Sequence, residues 1–263
     1  MTRLRWLWKR ITTSYRYRGI RFTILWCVMY AIGQAHTKRF ILYRAQHFDR
    51  RYGLNTAEII YPSALDIAAP DAAQCIEYEP CIPEVLADAL SNLSIPMEEY
   101  VFVDLGSGKG VGLLSASLFP FKRMVGIEWS KRVATIAREN LLKFTHPRQA
   151  CRNIAVLDGD ATAYELPHEP LVIFLFNPFK EPLVRRFVEN LGRSLEQCPR
   201  HVVIVYCNPM CREVLEEARF LREIEIAGNN GPIIMYESTV AAPERSAAVD
   251  TAGIESLQEA SVG

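Results

Sequence analysis

The segment that most restricts the folds open to this chain runs from residue 101 to residue 114, with the sequence VFVDLGSGKGVGLL. A short run rich in β-forming residues is followed by glycines at positions 106, 108 and 110, and then by residues of helical character. Glycine supplies the backbone angles that a tight turn needs and has no Cβ to collide with a bound molecule. The segment therefore predicts a strand, a binding turn and a helix in succession.

Beyond this segment, short β-rich runs alternate with longer runs of helical periodicity. Further strands are predicted at Arg123–Glu128, Asn153–Leu157, Leu171–Phe176 and His201–Tyr206, and further helices at 130–144, 181–197 and 213–220, after a first helix at 109–118. Two last strands, at Glu223–Ala227 and Pro232–Glu237, flank a Gly-Asn-Asn-Gly turn and predict a hairpin. Such alternation predicts an α/β, Rossmann-like, doubly wound and mostly parallel sheet of seven strands, with one antiparallel strand at or near the edge.

The 263 residues divide into four predicted regions by composition. Residues 1–52 form a basic, aromatic, helical extension, and residues 53–97 form a lead-in that ends in a helix. The α/β domain covers residues 98–238. Residues 239–263 are small and polar and lack aromatic side chains, so we expect this tail to be disordered.

Charge is unevenly distributed, although Lys and Arg (30) balance Asp and Glu (30) in total. Residues 1–51 carry twelve Lys or Arg and one acid, interleaved with Trp and Tyr. This region could contact an anionic membrane, cover the protein's own domain or, less favoured, grip nucleic acid. Its apolar run, Phe22–Gly33, is shorter than the about 20 residues that span a bilayer. We therefore expect a cytoplasmic protein, with peripheral membrane association as an alternative.

The seven cysteines are scattered, and no two of them form a C-x-x-C pair. That spacing favours neither a metal site nor a disulfide framework. It is typical of free thiols in a reducing compartment, so no metal is expected.

The glycine spacing bears on which molecule the turn binds. A dinucleotide turn has the pattern G-x-G-x-x-G, whereas Val111 stands here at the third glycine position and the spacing is G-x-G-x-G. Asp104, just inside the strand end, suits the ammonium group of an amino acid better than a pyrophosphate. Both features favour S-adenosylmethionine (SAM) over NAD.

Polar residues also follow the later predicted strands. Glu128, at the end of the second strand, can accept hydrogen bonds from ribose hydroxyls, which SAM and NAD both carry. Asp160 and the Ala161 amide, after the third strand, could meet the edge of an adenine. Asn177 precedes Pro178 and Phe179 after the fourth strand. An Asn-Pro pair also follows the fifth strand, however, so this pair could simply end a strand.

With these residues identified, the chain resembles the class I SAM-dependent methyltransferases over residues 78–238. VFVDLGSGKG looks like the first motif of that family, IEWS its ribose-binding acid, GDA its adenine contact and FLFNPF its fourth motif. The DLGSG wording, preceded by Tyr78-Glu79-Pro80 before a helix, is similar to the seven-strand protein-lysine methyltransferases. The single proline of the fourth motif departs from the adenine-N6 and glutamine-N5 methyltransferases.

The resemblance implies the roles of the site residues. The cofactor-binding residues would be Asp104, Gly106, Ser107, Gly108, Gly110, Glu128, Asp160 and Ala161. Asn177 and Glu79 would be the catalytic proton acceptors, and Tyr78, Pro178 and Phe179 would contact the substrate. The expected reaction is methyl transfer from SAM to a nitrogen or oxygen of an unidentified protein or small molecule. The alternatives are an NAD(P)-dependent oxidoreductase and a non-enzymatic adaptor with the same fold.

Overall fold

The computed structural model describes residues 38–224 and 233–239. The strands are β1 (Val101–Leu105), β2 (Arg123–Glu128), β3 (Ile154–Asp158), β4 (Leu171–Phe176), β5 (Val202–Cys207), β6 (Leu221–Ile224) and β7 (Ile233–Ser238). The helices are α1 (38–52), α2 (Ala69–Ala72), α3 (Pro83–Ser91), α4 (Val111–Ala116), α5 (Lys131–Lys143), α6 (Glu181–Gln197) and α7 (Arg212–Glu216). Of the two units into which the chain divides, the second begins at Arg44 and contains the whole sheet.

The seven strands form one sheet in the order β3-β2-β1-β4-β5-β7-β6. β1 pairs in parallel with both β2 and β4, and β7 runs antiparallel between β5 and β6. This order is that of a doubly wound Rossmann sheet, 3-2-1-4-5-6, with β7 inserted next to the edge. The predicted fold class, including one antiparallel strand near the edge, is confirmed.

β1 lies at the centre of the sheet, and both faces of the sheet are covered. Because neighbouring residues in a strand face opposite sides of the sheet, β1 contributes side chains to the core on each face. Phe102 packs into a core with Leu113 and Leu114 of α4. Val103 packs into the opposite core with Phe187 of α6. All five residues of β1 are buried, as expected of a parallel strand with helices on both faces. The carboxyl ends of β1 and β4 lie where the strand order reverses, and open α/β sheets bind ligands at that point.

Helices α4 and α7 differ most from the sequence predictions, and both are shorter than predicted. α4 begins at Val111, two residues later than predicted, because Gly110 has a φ of 87° and caps the helix in a left-handed conformation. α7 ends at Glu216, four residues earlier than predicted. Residues 1–37, the turn at 228–231 and the tail beyond 239 lie outside the described residues, as do the predictions made for them. No helix in the described part of the chain has the length and apolar character needed to cross a membrane.

A matched pair of leucines tests the placement of the core. Leu114 of α4 is fully buried, whereas Leu142 of α5 is 86% exposed. We expect Leu114→Ala to lower the free energy of unfolding by about 2–5 kcal/mol, because it leaves a cavity between helix and sheet. Leu142→Ala should change it by less than about 0.5 kcal/mol. Urea unfolding followed by circular dichroism measures both variants, and equal losses would contradict the assigned core.

Candidate functional site

A cleft opens at the carboxyl ends of β1, β2 and β4, with about 830 Å³ of empty space including its solvent-filled mouth. Its floor contains Asp104, Gly106, Ser107, Gly108, Glu128 and Ala161. Its walls contain Tyr78, Glu79, Pro178 and Phe179. The structure therefore brings together ten of the thirteen residues that the sequence predicted for the site. The other three are Gly110, Asp160 and Asn177.

Asp104 supplies a buried carboxylate to the cleft without a partner from the protein. Its side chain is 2% exposed, and within the described chain neither a hydrogen bond nor a cation contributes to its pKa. Room for the carboxylate exists because Gly112 has no side chain: a Cβ there would lie 2.5 Å from Asp104 Oδ2. Burial, reinforced by the nearby charge of Glu128, raises the pKa of Asp104 to about 8. A cation in the cleft would relieve this cost.

Glu128 ties the end of β2 to the glycine turn. Its Oε2 accepts a hydrogen bond from the Gly108 N–H at 2.9 Å, and its Oε1 accepts one from the Ser130 N–H at 3.0 Å. Burial raises the pKa of Glu128, and these two hydrogen bonds oppose the rise because they favour the charged form. Each oxygen keeps a further lone pair, so Glu128 can still accept hydrogen bonds from a ligand in the cleft.

The glycines of the turn serve different contacts. Gly106 has a φ of 74°, and a Cβ there would lie 2.6 Å from Pro178 Cβ. Gly108 has a φ of 53°, and a Cβ there would lie 2.5 Å from the Tyr78 ring. Bare backbone at these two positions lets the cleft walls close onto the turn. Gly110 faces Ala137 of α5 and lies outside the cleft lining.

The loop after β3 contributes Ala161 to the cleft, while the neighbouring Asp160 carboxylate has partners of its own. Asp160 Oδ1 accepts hydrogen bonds from the Thr162 N–H at 2.9 Å and from the Thr162 hydroxyl at 2.7 Å. Its Oδ2 forms an ion pair with Arg186 of α6. The carboxylate therefore holds the loop in shape, and a contact between Asp160 and adenine stays a prediction.

Asn177 is buried beside β5. Its Oδ1 accepts a long hydrogen bond, 3.5 Å, from the Tyr206 hydroxyl. Asn177 has a φ of 45° and Asn208, after β5, has a φ of 51°, so both Asn-Pro pairs end a strand in the same left-handed conformation. The alternative interpretation, that an Asn-Pro pair simply ends a strand, thus applies to both pairs. A catalytic role for Asn177 stays a prediction.

Apart from Tyr78 and Glu79, the sequence analysis did not predict the segment that covers the cleft, residues 55–80. Backbone bridges join Ile60 to Tyr78 and Cys75 to Phe179. Near Glu128, Leu65 and Ile67 line the cleft on either side of Asp66, which accepts hydrogen bonds from the Ser130 hydroxyl and the Arg132 N–H at the start of α5. Before Tyr78, this mixed sequence of small, apolar and acidic residues carries no motif that could have revealed the role.

Two further groups in this region also went unpredicted. Cys75 and Cys81 line the cleft, and burial raises the pKa of Cys75 to about 11 and that of Cys81 well above its usual range. Both thiols are therefore protonated at neutral pH and act as apolar wall. Lys109, inside the glycine turn, is fully buried, and its ammonium reaches Glu58 in the covering segment.

The lining of the cleft is acidic. Four of its lining residues are acids: Asp104, Glu128, Glu77 and Glu79. Within the described chain, none of the lining residues is Lys, Arg or His. A positively charged ligand is therefore favoured over an anionic one.

No family model matches the chain, and no curated protein matches it. Solved structures do. A mitomycin 7-O-methyltransferase matches at 16% identity and a TM-score of 0.43, over 61% of this chain and 54% of its own, so this chain spans about half of its length. An RNA methyltransferase from Salinibacter ruber, in complex with S-adenosyl-L-homocysteine, matches at 20% identity and a TM-score of 0.39. The match covers 63% of this chain and 97% of that methyltransferase. A predicted N6-adenine-specific DNA methylase from Listeria monocytogenes matches at 15% identity and a TM-score of 0.46. The match covers 63% of this chain and 53% of that methylase.

Gly106 and Gly53 form a pair that separates backbone strain from a steric clash. Gly53 has a φ of 69°, close to that of Gly106, but a Cβ there would meet nothing within 4 Å. We expect Gly53→Ala to lower the free energy of unfolding by about 1–2 kcal/mol, the cost of a left-handed residue. Gly106→Ala should cost about 1–3 kcal/mol more, because its Cβ overlaps Pro178. Urea unfolding measures both, and equal losses would mean that Pro178 moves aside freely.

The raised pKa of Asp104 predicts how stability depends on pH without ligand. Between its usual pKa of 3.8 and its folded value of about 8, the unfolded chain has lost this proton and the folded protein keeps it. The free energy of unfolding therefore falls as pH rises through this range, by up to about 1.4 kcal/mol per pH unit from this group. Asp104→Asn should flatten the fall in urea unfolding between about pH 5 and about pH 8.

Asp158→Asn is the control for this experiment. Asp158 ends β3 at the same edge of the sheet, but its carboxylate is about one-third exposed and pairs with Arg138. Its variant should keep the pH slope of the wild type. A wild-type slope in Asp104→Asn would show that Asp104 is ionised in the folded protein at neutral pH.

Proposed function

We propose that this chain is a SAM-dependent methyltransferase that transfers a methyl group to a nitrogen or oxygen of a protein or small molecule. The observation that carries the proposal is the buried, unpartnered carboxylate of Asp104 beside the glycine turn. SAM carries an ammonium group on its amino-acid arm and a positive sulfonium. A carboxylate with a pKa of about 8 becomes a strong partner for an ammonium group once that group displaces its proton.

The acidic lining weighs against the dinucleotide alternative. NAD(P) carries a pyrophosphate, and NADP a further phosphate, and such groups bind where cations or free backbone N–H groups converge. In the described part of the cleft the charged side chains are all carboxylates, and the Gly108 N–H is already donated to Glu128. A pyrophosphate at this turn would lie beside Glu128, whose charge repels it, and would bring no cation to the buried Asp104.

The cleft residues fit the parts of SAM as follows. Asp104 would bind the ammonium group, with the main chain of Gly106 and Gly108 beneath the amino-acid arm. Glu128 would accept hydrogen bonds from the ribose hydroxyls. The apolar side chains beside Glu128 would cover the adenine, with the Ala161 amide at its edge; they are Leu65, Ile67, Trp129 and Val133. When bound, SAM supplies a methyl group that is already activated for in-line displacement.

The remaining walls would receive the methyl acceptor. Tyr78, Phe176 and Phe179 line the cleft and would exclude water from the reacting groups. Glu79 lines the same cleft and is the candidate to accept a proton from the acceptor atom. Asn177 is the second candidate, and it would act from its position beside Tyr206. Holding the acceptor close to the methyl group and in line with it is then the main task of the protein.

Isothermal titration calorimetry with SAM tests the assigned cofactor. We expect the wild type to bind SAM and Asp104→Asn to bind it about 10- to 100-fold more weakly, since a hydrogen bond between charged groups is lost. Asp158→Asn should bind it like the wild type. Affinity should also rise in the wild type from about pH 6 to about pH 7.5, because Asp104 must lose its proton on binding. Binding of NADH in place of SAM would favour the oxidoreductase.

Transfer itself is measured with radiolabelled SAM in fractionated cell extract. Label should enter a protein or small-molecule pool with the wild type, and it should stay in SAM with Asp104→Asn. Label in the nucleic-acid pool would contradict the proposed acceptor class. SAM binding without transfer into any pool would favour the non-enzymatic adaptor.

A further inference from the structure

Lys109 lies inside the glycine turn, yet its side chain points away from the cleft. It is fully buried, and its ammonium donates to Glu58 Oε2 at 2.6 Å and to Asn55 Oδ1 at 3.0 Å. Neither Lys109, Asn55 nor Glu58 lines the cleft. A buried ammonium needs such partners, because an uncompensated charge in the interior is costly. Lys109 therefore anchors the turn to residues 55–60 of the covering segment.

A second set of hydrogen bonds joins the same two elements. The fully buried Asn140 of α5 donates from Nδ2 to the Lys109 carbonyl at 2.9 Å and to the Asn55 carbonyl at 3.2 Å. Its Oδ1 accepts from the Asn55 N–H at 2.9 Å. The side chain of Lys109 is thus hydrogen-bonded to Asn55 directly, and its main chain is connected to Asn55 through Asn140. These contacts fix the distance between the turn and the covering segment.

The covering segment returns to the cleft through Tyr78. The Tyr78 hydroxyl donates to the Thr56 carbonyl at 3.0 Å, and backbone hydrogen bonds of 2.8 and 3.1 Å pair Tyr78 with Ile60. The Tyr78 ring in turn packs on Gly108, the residue before Lys109. The contacts close a ring that runs from the turn through Lys109 to residues 55–60, then to Tyr78 and back to the turn.

We infer that Lys109 is a positioning residue, and that its ion pair with Glu58 is a latch that couples ligand binding in the cleft to the ordering of residues 55–60. The latch opens when Glu58 moves away into solvent, because Lys109 is fully buried and the side chain of Glu58 is 51% exposed. Opening would release Tyr78 from its place over the turn. The inference rests on the proposed function for the identity of the ligand, SAM, and on nothing else in it.

Hydrogen–deuterium exchange of the full chain, with and without SAM, tests the coupling. In the wild type, SAM should slow amide exchange at residues 106–110 and, by at least about five-fold, at residues 55–60, which lie outside the cleft lining. In Lys109→Met, SAM should still slow exchange at 106–110 but no longer at 55–60. A residue that only stabilised the fold would leave both effects in place. Protection at 55–60 that persists in Lys109→Met would overturn the inference.

Calorimetric affinities for SAM give an independent readout. Glu58→Gln leaves the Lys109 ammonium without its carboxylate and should weaken binding by about ten-fold. The double variant Lys109→Met/Glu58→Met removes the ion pair altogether, so it should bind SAM about as weakly as Glu58→Gln. The control is Glu217→Gln, because Glu217 forms a similarly exposed ion pair, 2.8 Å from Arg185, and its variant should bind like the wild type. Wild-type affinity in Glu58→Gln would overturn the latch.

The unliganded protein separates this inference from the proposed function. If the wild type does not bind SAM, the proposed function fails, and exchange without ligand then decides the latch. Glu58→Gln should speed exchange at 106–110 relative to the wild type, and Glu217→Gln should not. Unchanged exchange at 106–110 in Glu58→Gln would overturn the latch. Because Glu58 is half exposed, its variant carries this test even if Lys109→Met does not fold.

Discussion

The site depends on a carboxylate that the fold buries without a partner. Asp104 belongs to β1, the strand that is covered on both faces and that neighbours both β2 and β4. Burial and the charge of Glu128 both oppose its ionisation, so the unliganded protein is less stable at neutral pH than it would be with an amide there. Costly groups of this kind concentrate at functional sites, where a ligand compensates them.

The sheet topology explains why that carboxylate meets the other site residues. Parallel strands end at the same edge, so the residues that follow β1, β2, β3 and β4 converge there. The reversal of strand order between β1 and β4 leaves a crevice at this edge. The covering segment then closes the crevice, since it is bridged to Phe179 after β4 and hydrogen-bonded to the start of α5 after β2. Both walls of the cleft are therefore positioned by main-chain contacts as well as by side chains.

Sequence patterns predicted the parts of the site that one segment encodes. The glycine turn, Asp104 and Glu128 could all be found, because each lies at a strand end that periodicity and β-propensity reveal. What could not be predicted depends on contacts between distant segments. Asn55 and Asn140 are 85 positions apart, and their pairing explains why Lys109 is buried. In sequence, Lys109 is an ordinary lysine, a residue type that is almost never fully buried unless it is paired.

The same reasoning explains why residues that match the sequence pattern of a binding site can have other environments in the structure. Gly110 shares the spacing of Gly106 and Gly108, but it faces Ala137, because the third glycine starts α4 and lies under the neighbouring helix. Asp160 follows β3 as a ligand-binding acid would, yet its two oxygens are engaged by Thr162 and Arg186.

The electrostatics of the unliganded cleft link these observations. The charge of Glu128 raises the cost of ionising Asp104, and Glu128 remains hydrogen-bonded to the Gly108 N–H of the turn and to the Ser130 N–H. A cation bound at Asp104 would neutralise that repulsion without moving Glu128, so the turn is already shaped for its ligand and only a proton has to leave. Preorganisation of this kind converts the stability lost to burial into affinity for one charge type, so the cleft favours a cationic ligand over an anionic one.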